Sequence, residues 1–386
     1  MTRQCPICKS KEYKTISKLC SNMQIMGPQF KNEQTNLVCC EKCGLVFVDI
    51  DSSQENFNQY YKSEFSHTPS YQELYPKEVE LEYFDEWFNE IKNIINKESY
   101  ILDIGGGLGD FGKYLKDHGY KNIYVMDVNE KAVQSIENKG VTGILSDTIN
   151  IDESLKNKFD LVMFSNSLEH YYEFNKAIES AKSMLKDNGY IYIELPDAER
   201  YCEIKNAPFM LFTYEHLYHF TTNTMKNIAN SQGLKVINIK QATKCGGFEV
   251  IRTIYQKTDM PKNTIEFDET GEKCIKKYIS HSNLTLSSIK KYEESQEKLI
   301  LWGIGASTAL LLNGIFDNCN VIQIVDRNTK RQGLEYQIGN KIFHIEPPKN
   351  VIDKDATIII MPFWYRDSIK KSITELNLTN KIETLI

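Results

Sequence analysis

Three groups of residues in this chain have the types and spacing for chemistry. The first is a glycine run, Gly105-Gly106-Gly107-Leu108-Gly109, which follows an apolar stretch, Tyr100-Ile101-Leu102-Asp103-Ile104, that carries an acid inside it. Beyond the glycines the pattern turns helical through Phe111, Tyr114 and Leu115, and a second apolar run, Ile123 to Met126, ends at Asp127. Strand, glycine turn, helix, strand, acid is the plan of a nucleotide-binding crevice. Glycine lets a ligand approach the backbone at the helix start. An acid about 20 residues further on can accept both hydroxyls of a ribose. The second group is a pair of C-x-x-C knuckles, Cys5-Pro6-Ile7-Cys8 and Cys40-Glu41-Lys42-Cys43, the donor set of a four-thiolate Zn²⁺ site. The third is an aromatic and histidine-rich stretch over 197–220 holding Tyr214, Glu215, His216 and His219. There an imidazole oriented by a carboxylate and a phenol could serve as a general base, and either histidine could be a structural one instead.

Several elements must position these groups. Gly140 to Leu145 reads as a short strand leading to Asp147, an acid that could meet the exocyclic amine of adenine. Phe159 to Phe164 is a fourth strand ending at Ser165, Asn166 and Glu169, and ligands of open α/β sheets sit beyond such strand ends. The spacing predicts a helix over 173–186, closed by Asp187-Asn188-Gly189, then a fifth strand over 190–197. Thr221 caps a helix through residue 231 that Gly233 stops, and strands near 234–240 and 247–255 complete the sheet.

The two knuckles are separated by 9–39, so a loop or hairpin must fill the gap. Cys39 is an alternative ligand to Cys40, and Cys20 reads as a buried apolar residue. A redox-active C-x-x-C is the rival reading, but it leaves the second knuckle without a purpose. Four cysteines leave no open coordination position, which makes the metal structural. A short strand over Leu45 to Val48 follows. Leu81, Phe84, Trp87, Ile91 and Ile94-Ile95 then recur at helical spacing in a helix expected to pack on the next domain, and the polar segment before it, with Tyr60, Tyr61, Ser63 and Ser66, could close over a ligand. After a polar helical connector over 258–297, the chain repeats its first plan: Leu299 to Trp302, Gly303-Ile304-Gly305-Ala306, a helix through Leu312, strand Val321 to Val325, then Asp326. Ala356 to Met361 adds a further buried strand. A lone G-x-G is weak evidence for a second nucleotide, so a scaffold domain is the preferred reading.

Composition bounds the rest. The 386 residues suffice for two or three domains, and the net charge of −6 speaks against a surface that wraps nucleic acid. No run reaches the roughly 20 apolar residues of a membrane span. The first ten residues lack the apolar core of a signal peptide, and six of the ten cysteines fall in the first 43 residues, so a cytoplasmic chain with a metal site is expected rather than a disulfide framework.

Gly107 to Gly112 spells G-x-G-x-x-G, but in a dinucleotide fold the first glycine follows the strand directly, whereas Gly105 and Gly106 intervene here. The run Leu102-Asp103-Ile104-Gly105-Gly106-Gly107-Leu108-Gly109 followed by Val125-Met126-Asp127 instead resembles motif I and the second-strand acid of class I S-adenosylmethionine-dependent methyltransferases. The later segments from Phe164 to His170 and from Lys186 to Asp197 look like the same class. The resemblance implies S-adenosylmethionine as cofactor, with Asp103, Gly105, Gly107, Gly109, Asp127, Asp147, Ser165 and Asn166 around it. A carboxylate at Asp103 suits a ligand carrying an amine and a sulfonium.

The full order of parts resembles the three-part sugar C-methyltransferases: a zinc-binding module (1–60; Cys5, Cys8, Cys40, Cys43), a helical linker (61–97), a Rossmann-like methyltransferase domain (98–257), a connector (258–297) and a second Rossmann-like α/β domain (298–386). That family methylates nucleotide-linked keto-deoxysugars, which implies a small-molecule acceptor and no nucleic-acid partner. Its Tyr-His-Glu-His segment becomes Thr213-Tyr214-Glu215-His216 here, keeping Glu-His but shifting the tyrosine, and Ser307 stands after Ala306 where the family has a lysine. His216, held by Glu215 and aided by Tyr214, is the expected base, with His219 as alternative. Three other readings stay open: an O-methyltransferase of the same build, a nicotinamide-dependent oxidoreductase, and a non-catalytic zinc- and nucleotide-binding protein.

Overall fold

The computed structural model describes residues 3–19, 26–30, 35–63, 77–203, 208–244, 248–304, 314–362 and 365–384. Cys20, Ser66, Gly305, Ala306, Ser307, Thr308 and the helix expected through Leu312 lie outside them. The chain forms two compact units. One comprises residues 1–16, 37–203 and 217–274, the other residues 17–36, 204–216 and 275–386.

The first unit is built on a seven-stranded sheet of β4 (Tyr100–Ile104), β5 (Asn122–Asp127), β6 (Thr142–Leu145), β7 (Phe159–Ser165), β8 (Leu185–Pro196), β10 (Leu234–Lys244) and β11 (Phe248–Lys257), in the order β10-β11-β8-β7-β4-β5-β6. The five strands β4 to β8 are parallel, and β11 and β10 return antiparallel. From β4 the chain winds outward through β5 to β6, then resumes on β4's other side with β7 and β8. The switch of direction therefore falls between β4 and β7, where such sheets bind ligands.

Helix α1 spans Gln54–Lys62, α2 spans Lys77–Ile91, α3 spans Asp110–Asp117 and α4 spans Glu130–Asn138. Tyr83, Phe84, Trp87 and Ile91 of α2 are buried with Phe111, Tyr114 and Leu115 of α3 and with Ile101, Leu161 and Met163 of the sheet. Leu81 is not part of this face and stays 44% exposed. At about 100° per residue it lies about 100° round the helix from the middle of the buried stripe, and Tyr83 takes its place.

Two further boundaries differ from the sequence reading. Helix α5 (Phe174–Met184) ends two residues early, because Leu185 is already extended and opposite Phe159 in the ladder. Asp187-Asn188-Gly189 is thus an irregularity within β8, with Asn188 left-handed at φ 60°, not a helix stop. Gly140, at φ 71°, belongs to the turn after α4, and β6 begins at Thr142. Helix α6 (Thr222–Gln232) is capped by the Thr221 side chain and stopped by left-handed Gly233, as its sequence demands.

A four-stranded sheet, in the order β1 (Tyr13–Lys18), β2 (Asn36–Cys40), β3 (Val46–Asp49), β9 (Tyr218–His219), accompanies the cysteine segment. The sequence placed the third of these strands and assigned a loop or hairpin to the gap that holds β1 and β2, but it gave no sign of β9. In the two-residue β9, Tyr218 and His219 pair antiparallel with Phe47 and Val46.

The second unit holds a six-stranded sheet of β12 (Leu299–Trp302), β13 (Val321–Val325), β14 (Glu335–Ile338), β15 (Lys341–Glu346), β16 (Thr357–Ile360) and β17 (Ile382–Thr384). Its order is β14-β15-β13-β12-β16-β17, parallel except for the β14/β15 pair. Ile300, Trp302, Val325, Ile358 and Ile360 pack on Ile369 and Ile373 of α9 (Arg366–Glu375). Within 258–297, helices α7 (Thr270–Leu286) and α8 (Lys290–Ser295) follow an irregular stretch. No helix among the described residues is long and apolar enough to cross a membrane.

Candidate active site and cysteine cluster

A cleft of about 190 Å³ opens at the switch point of the first unit. Its wall is supplied by Gly105 and Gly107 after β4, by Met126, Asp127 and Val128 at the end of β5, and by Ser146 and Thr148 after β6. Asn166, Ser167, His170 and Tyr171 come from beyond β7, and Gln54, Asn58 and Tyr61 from α1.

The glycines are dictated by close approach. Gly105 has φ 69°, and a Cβ there would stand 2.8 Å from the Cβ of Ser167, whose hydroxyl donates to the carbonyl of Ile104 at 2.9 Å. Asp127 accepts the backbone N–H of Asn129 at 2.9 Å and further N–H bonds from Gly107 and Val128. Burial outweighs them and raises its carboxyl to about 6.

Asp103 sits beneath the loop, 5% exposed, and its Oδ1 has no hydrogen-bond partner. Burial, reinforced by the charge of Asp127, raises its carboxyl to about 7. A buried carboxylate lacking a counter-charge is costly, so this position calls for a cationic ligand group.

Of the residues singled out from sequence, Gly105, Gly107, Asp127 and Asn166 line the cleft and Asp103 lies directly under it. Gly109 is instead the left-handed N-cap of α3, packed against Ile136. Asp147 does not line the cleft. Its carboxylate accepts the backbone N–H groups of Ile149 at 3.0 Å and Asn150 at 2.6 Å. Ser165 is the last residue of β7, also outside the lining, with a buried unpartnered hydroxyl.

Sequence reasoning missed Gln54 and Asn58 altogether, because nothing in a polar nine-residue helix reveals what its face will cover. It also passed over His170, whose Nδ1 lies 3.0 Å from the Tyr61 hydroxyl and whose Nε2 lies 3.9 Å from Oε1 of buried Glu169. The cue was the succession of polar residues at the end of β7.

Tyr214, Glu215 and His216 fall in the second unit. There the segment is held to α7 by the Phe209 N–H on the Ser282 hydroxyl (3.1 Å) and the Leu211 N–H on the Tyr278 hydroxyl (3.4 Å). Tyr214 is buried, Glu215 and His216 are half-buried, and His216 Nδ1 meets the carbonyl of Leu211 at 3.2 Å. His219 belongs to the first unit, 1% exposed, with its Nδ1 3.1 Å from the Tyr201 hydroxyl.

The thiols of Cys5, Cys8, Cys40 and Cys43 come within 4.8 Å of one another. Both knuckles turn alike. The Lys9 N–H reaches the Cys5 carbonyl and the Gly44 N–H the Cys40 carbonyl, each at 2.9 Å, and Lys9 and Gly44 are both left-handed. At Gly44 only glycine fits, since a Cβ would lie 1.7 Å from the carbonyl oxygen of Asp268.

The Cys5–Cys43 and Cys8–Cys40 sulfur separations are 3.5 and 3.4 Å. A tetrahedron with metal–sulfur bonds of about 2.3 Å has edges of about 3.8 Å, so these two edges need to lengthen by only a few tenths of an ångström. Cys39 faces elsewhere, its thiol on the carbonyls of Cys40 and Gly44. Arg3 ties the first knuckle to the segment after β7. Its guanidinium stacks 3.8 Å from the centre of the Tyr172 ring and donates to the Tyr172 carbonyl and the Tyr218 hydroxyl.

Residues 75–239 match the family described as a methyltransferase domain. This part of the chain is a class I S-adenosylmethionine-dependent methyltransferase domain. The protein is accordingly an S-adenosylmethionine-dependent methyltransferase, and the glycine loop, Asp103 and Asp127 form a cradle suited to that cofactor.

No curated protein matches the sequence. Among solved structures, a methyltransferase from Methanosarcina mazei is similar at 17% identity over 44% of this chain and 96% of its own, with a TM-score of 0.38. A possible histamine N-methyltransferase from Thermotoga maritima shows 20% identity over 47% of this chain and 91% of its own, with a TM-score of 0.36. The magnesium protoporphyrin IX methyltransferase of Synechocystis, with SAH bound, shows 16% identity over 52% and 98%, with a TM-score of 0.40.

Proposed function

We propose that the protein methylates a small acceptor, a nucleotide-linked keto-deoxysugar used in glycoconjugate biosynthesis. The reading is carried by one observation: the Tyr214-Glu215-His216 segment lies in the aromatic insertion that follows β8 in the chain. That placement matches the resemblance to the sugar C-methyltransferases.

S-adenosylmethionine supplies an activated methyl group there. The chain's own residues have three tasks. Asp103 takes the cofactor's cationic ammonium, Asp127 accepts ribose hydroxyls, and His216, oriented by Glu215 and Tyr214, removes the acceptor's proton. Pre-positioning and deprotonation are what such a transfer needs from a protein.

The four cysteines hold a structural Zn²⁺, and thiolate ligands of that kind suit a reducing compartment such as the cytoplasm. An O-methyltransferase of the same build is the second reading, because His170 with Tyr61 offers a base in the cleft wall itself.

The test is incubation with S-adenosylmethionine and nucleotide keto-deoxysugars in deuterated water. Exchange at the carbon beside the keto group, lost in His216→Ala, supports C-methylation. Methyl transfer to a hydroxyl without exchange, abolished instead in His170→Ala, establishes the O-methyltransferase.

A further inference from the structure

Helix α1 brings one side chain to the cleft whose free valence the surrounding hydrogen bonds determine. The backbone N–H of Glu173 can only donate, so the group of Gln54 facing it at 3.0 Å is the carbonyl Oε1. That leaves Gln54 Nε2 as the donor, and it donates to Asn58 Oδ1 at 3.0 Å. The two Nδ2 hydrogens of Asn58, a cleft-lining residue only 5% exposed, are then left without an acceptor among the described residues. A buried amide with unspent donors needs an acceptor.

The rest of the wall leaves that task open. Among the described residues, no lysine or arginine lines the cleft. The side chain of Asn166 is held from both ends, Nδ2 donating to Glu194 (3.0 Å) and Oδ1 accepting from Lys244 (3.4 Å), and that of Thr148 meets the Tyr171 hydroxyl at 2.8 Å. The two acids, Asp103 and Asp127, suit the ammonium and the ribose. The cofactor's remaining strongly polar group is a carboxylate, which is an acceptor only.

We infer that Asn58 donates to the carboxylate of the methionyl moiety and so sets the protein's preference for cofactors that carry one. The inference rests on the S-adenosylmethionine reading of the cleft. It places a specificity residue upstream of the residues that match the methyltransferase family, on a helix beside the cysteine segment.

Calorimetric titration with S-adenosylmethionine and with decarboxylated S-adenosylmethionine tests it. The wild-type protein should prefer the former. Asn58→Asp replaces the donors with a like charge and should weaken S-adenosylmethionine about 30-fold while leaving the decarboxylated analogue within about threefold, the size expected for a hydrogen bond to a charged group. Asn58→Ala should show the same selective loss to a smaller degree and serves if the aspartate variant does not fold. Equal losses for both ligands, or no preference in the wild-type protein, would overturn the inference. Failure of the wild-type protein to bind either ligand would overturn the cofactor reading and this inference with it.

Discussion

The carboxylate of Asp103 lies against the backbone of Gly106: a Cβ on that glycine would stand 2.6 Å from Asp103 Oδ2 and 2.6 Å from Val125 Cγ1. Gly106 is absent from the residues with positive φ, so packing alone requires glycine there. Gly106→Ala should therefore push the acid and the loop apart. The expected loss is about 2 kcal/mol of stability, typical of overpacking, together with at least tenfold weaker S-adenosylmethionine binding. Thermal denaturation and calorimetry measure the two effects on one preparation.

Asp103 opposes the fold it serves. Its carboxyl is raised from 3.8 to about 7, chiefly by burial and then by Asp127, so holding it ionised costs roughly 4 kcal/mol at about 1.4 kcal/mol per pKa unit. Asp103→Asn keeps the shape and removes the charge. The variant should melt higher than the wild type and bind S-adenosylmethionine on the order of 100-fold more weakly. A variant that lost both stability and affinity would refute the assignment of Asp103 to the cationic end of the cofactor.

A pH dependence follows from the same group. Because the folded value lies above the unfolded one, the native state holds a proton that the unfolded state lacks between about pH 4 and 7, and this contribution to stability falls as pH rises through that window. A bound ammonium favours the carboxylate form. The rise in melting temperature produced by S-adenosylmethionine should therefore grow as pH is raised from 5.5 toward about 7.5 and level off above, with Asp127, at about 6, adding to the lower half. In Asp103→Asn the upper part of that profile should flatten, as scanning fluorimetry across the buffer series would reveal.

What the sequence made readable was local. Gly105, Gly107 and Asp127 could be placed because one tight turn and one strand end determine their chemistry, and Thr221 and Gly233 because a helix needs a cap and a stop. Features decided by tertiary packing were hidden. The face of α1 that carries Asn58 contacts Glu173, more than a hundred residues away, and β9 is two residues long and exists only because β3 is there to pair with. Asp187-Asn188-Gly189 has helix-stop composition, yet the ladder with β7 begins two residues before it. Local propensity yields to pairing in such places.

The cysteine cluster should stabilise the whole first unit, since Arg3 and the Pro6 carbonyl, which accepts from the Asn175 side chain, join the first knuckle to the segment following β7. Cys43→Ser should reduce the zinc content from one per chain to less than about 0.2, measured by chromogenic chelation after thiol blocking. Structural zinc sites contribute folding energy directly, so the melting temperature should fall as well. Cys39→Ser, by contrast, should leave the zinc content unchanged, because that thiol faces the carbonyls of Cys40 and Gly44.

Arg252 and Glu194 give the sharpest test of stability. Glu194 is fully buried, its Oε2 2.7 Å from Arg252 Nε and its Oε1 3.0 Å from the Asn166 amide that forms part of the cleft wall. Arg252 also meets Glu86 and lies 3.7 Å from Glu90. Arg252→Met strands a buried carboxylate, which must shift or take up a proton and so disturb the Asn166 side chain it holds; the change should cost about 3–5 kcal/mol and weaken cofactor binding. Adding Glu194→Gln removes the stranded charge, retains an acceptor for Asn166, and should recover most of both losses. Lys240→Met breaks only a half-exposed ion pair with Glu90 and should cost less than about 1 kcal/mol. Denaturant titration of the four proteins gives the comparison, and a double variant no more stable than Arg252→Met would show that the arginine acts through packing rather than through its charge.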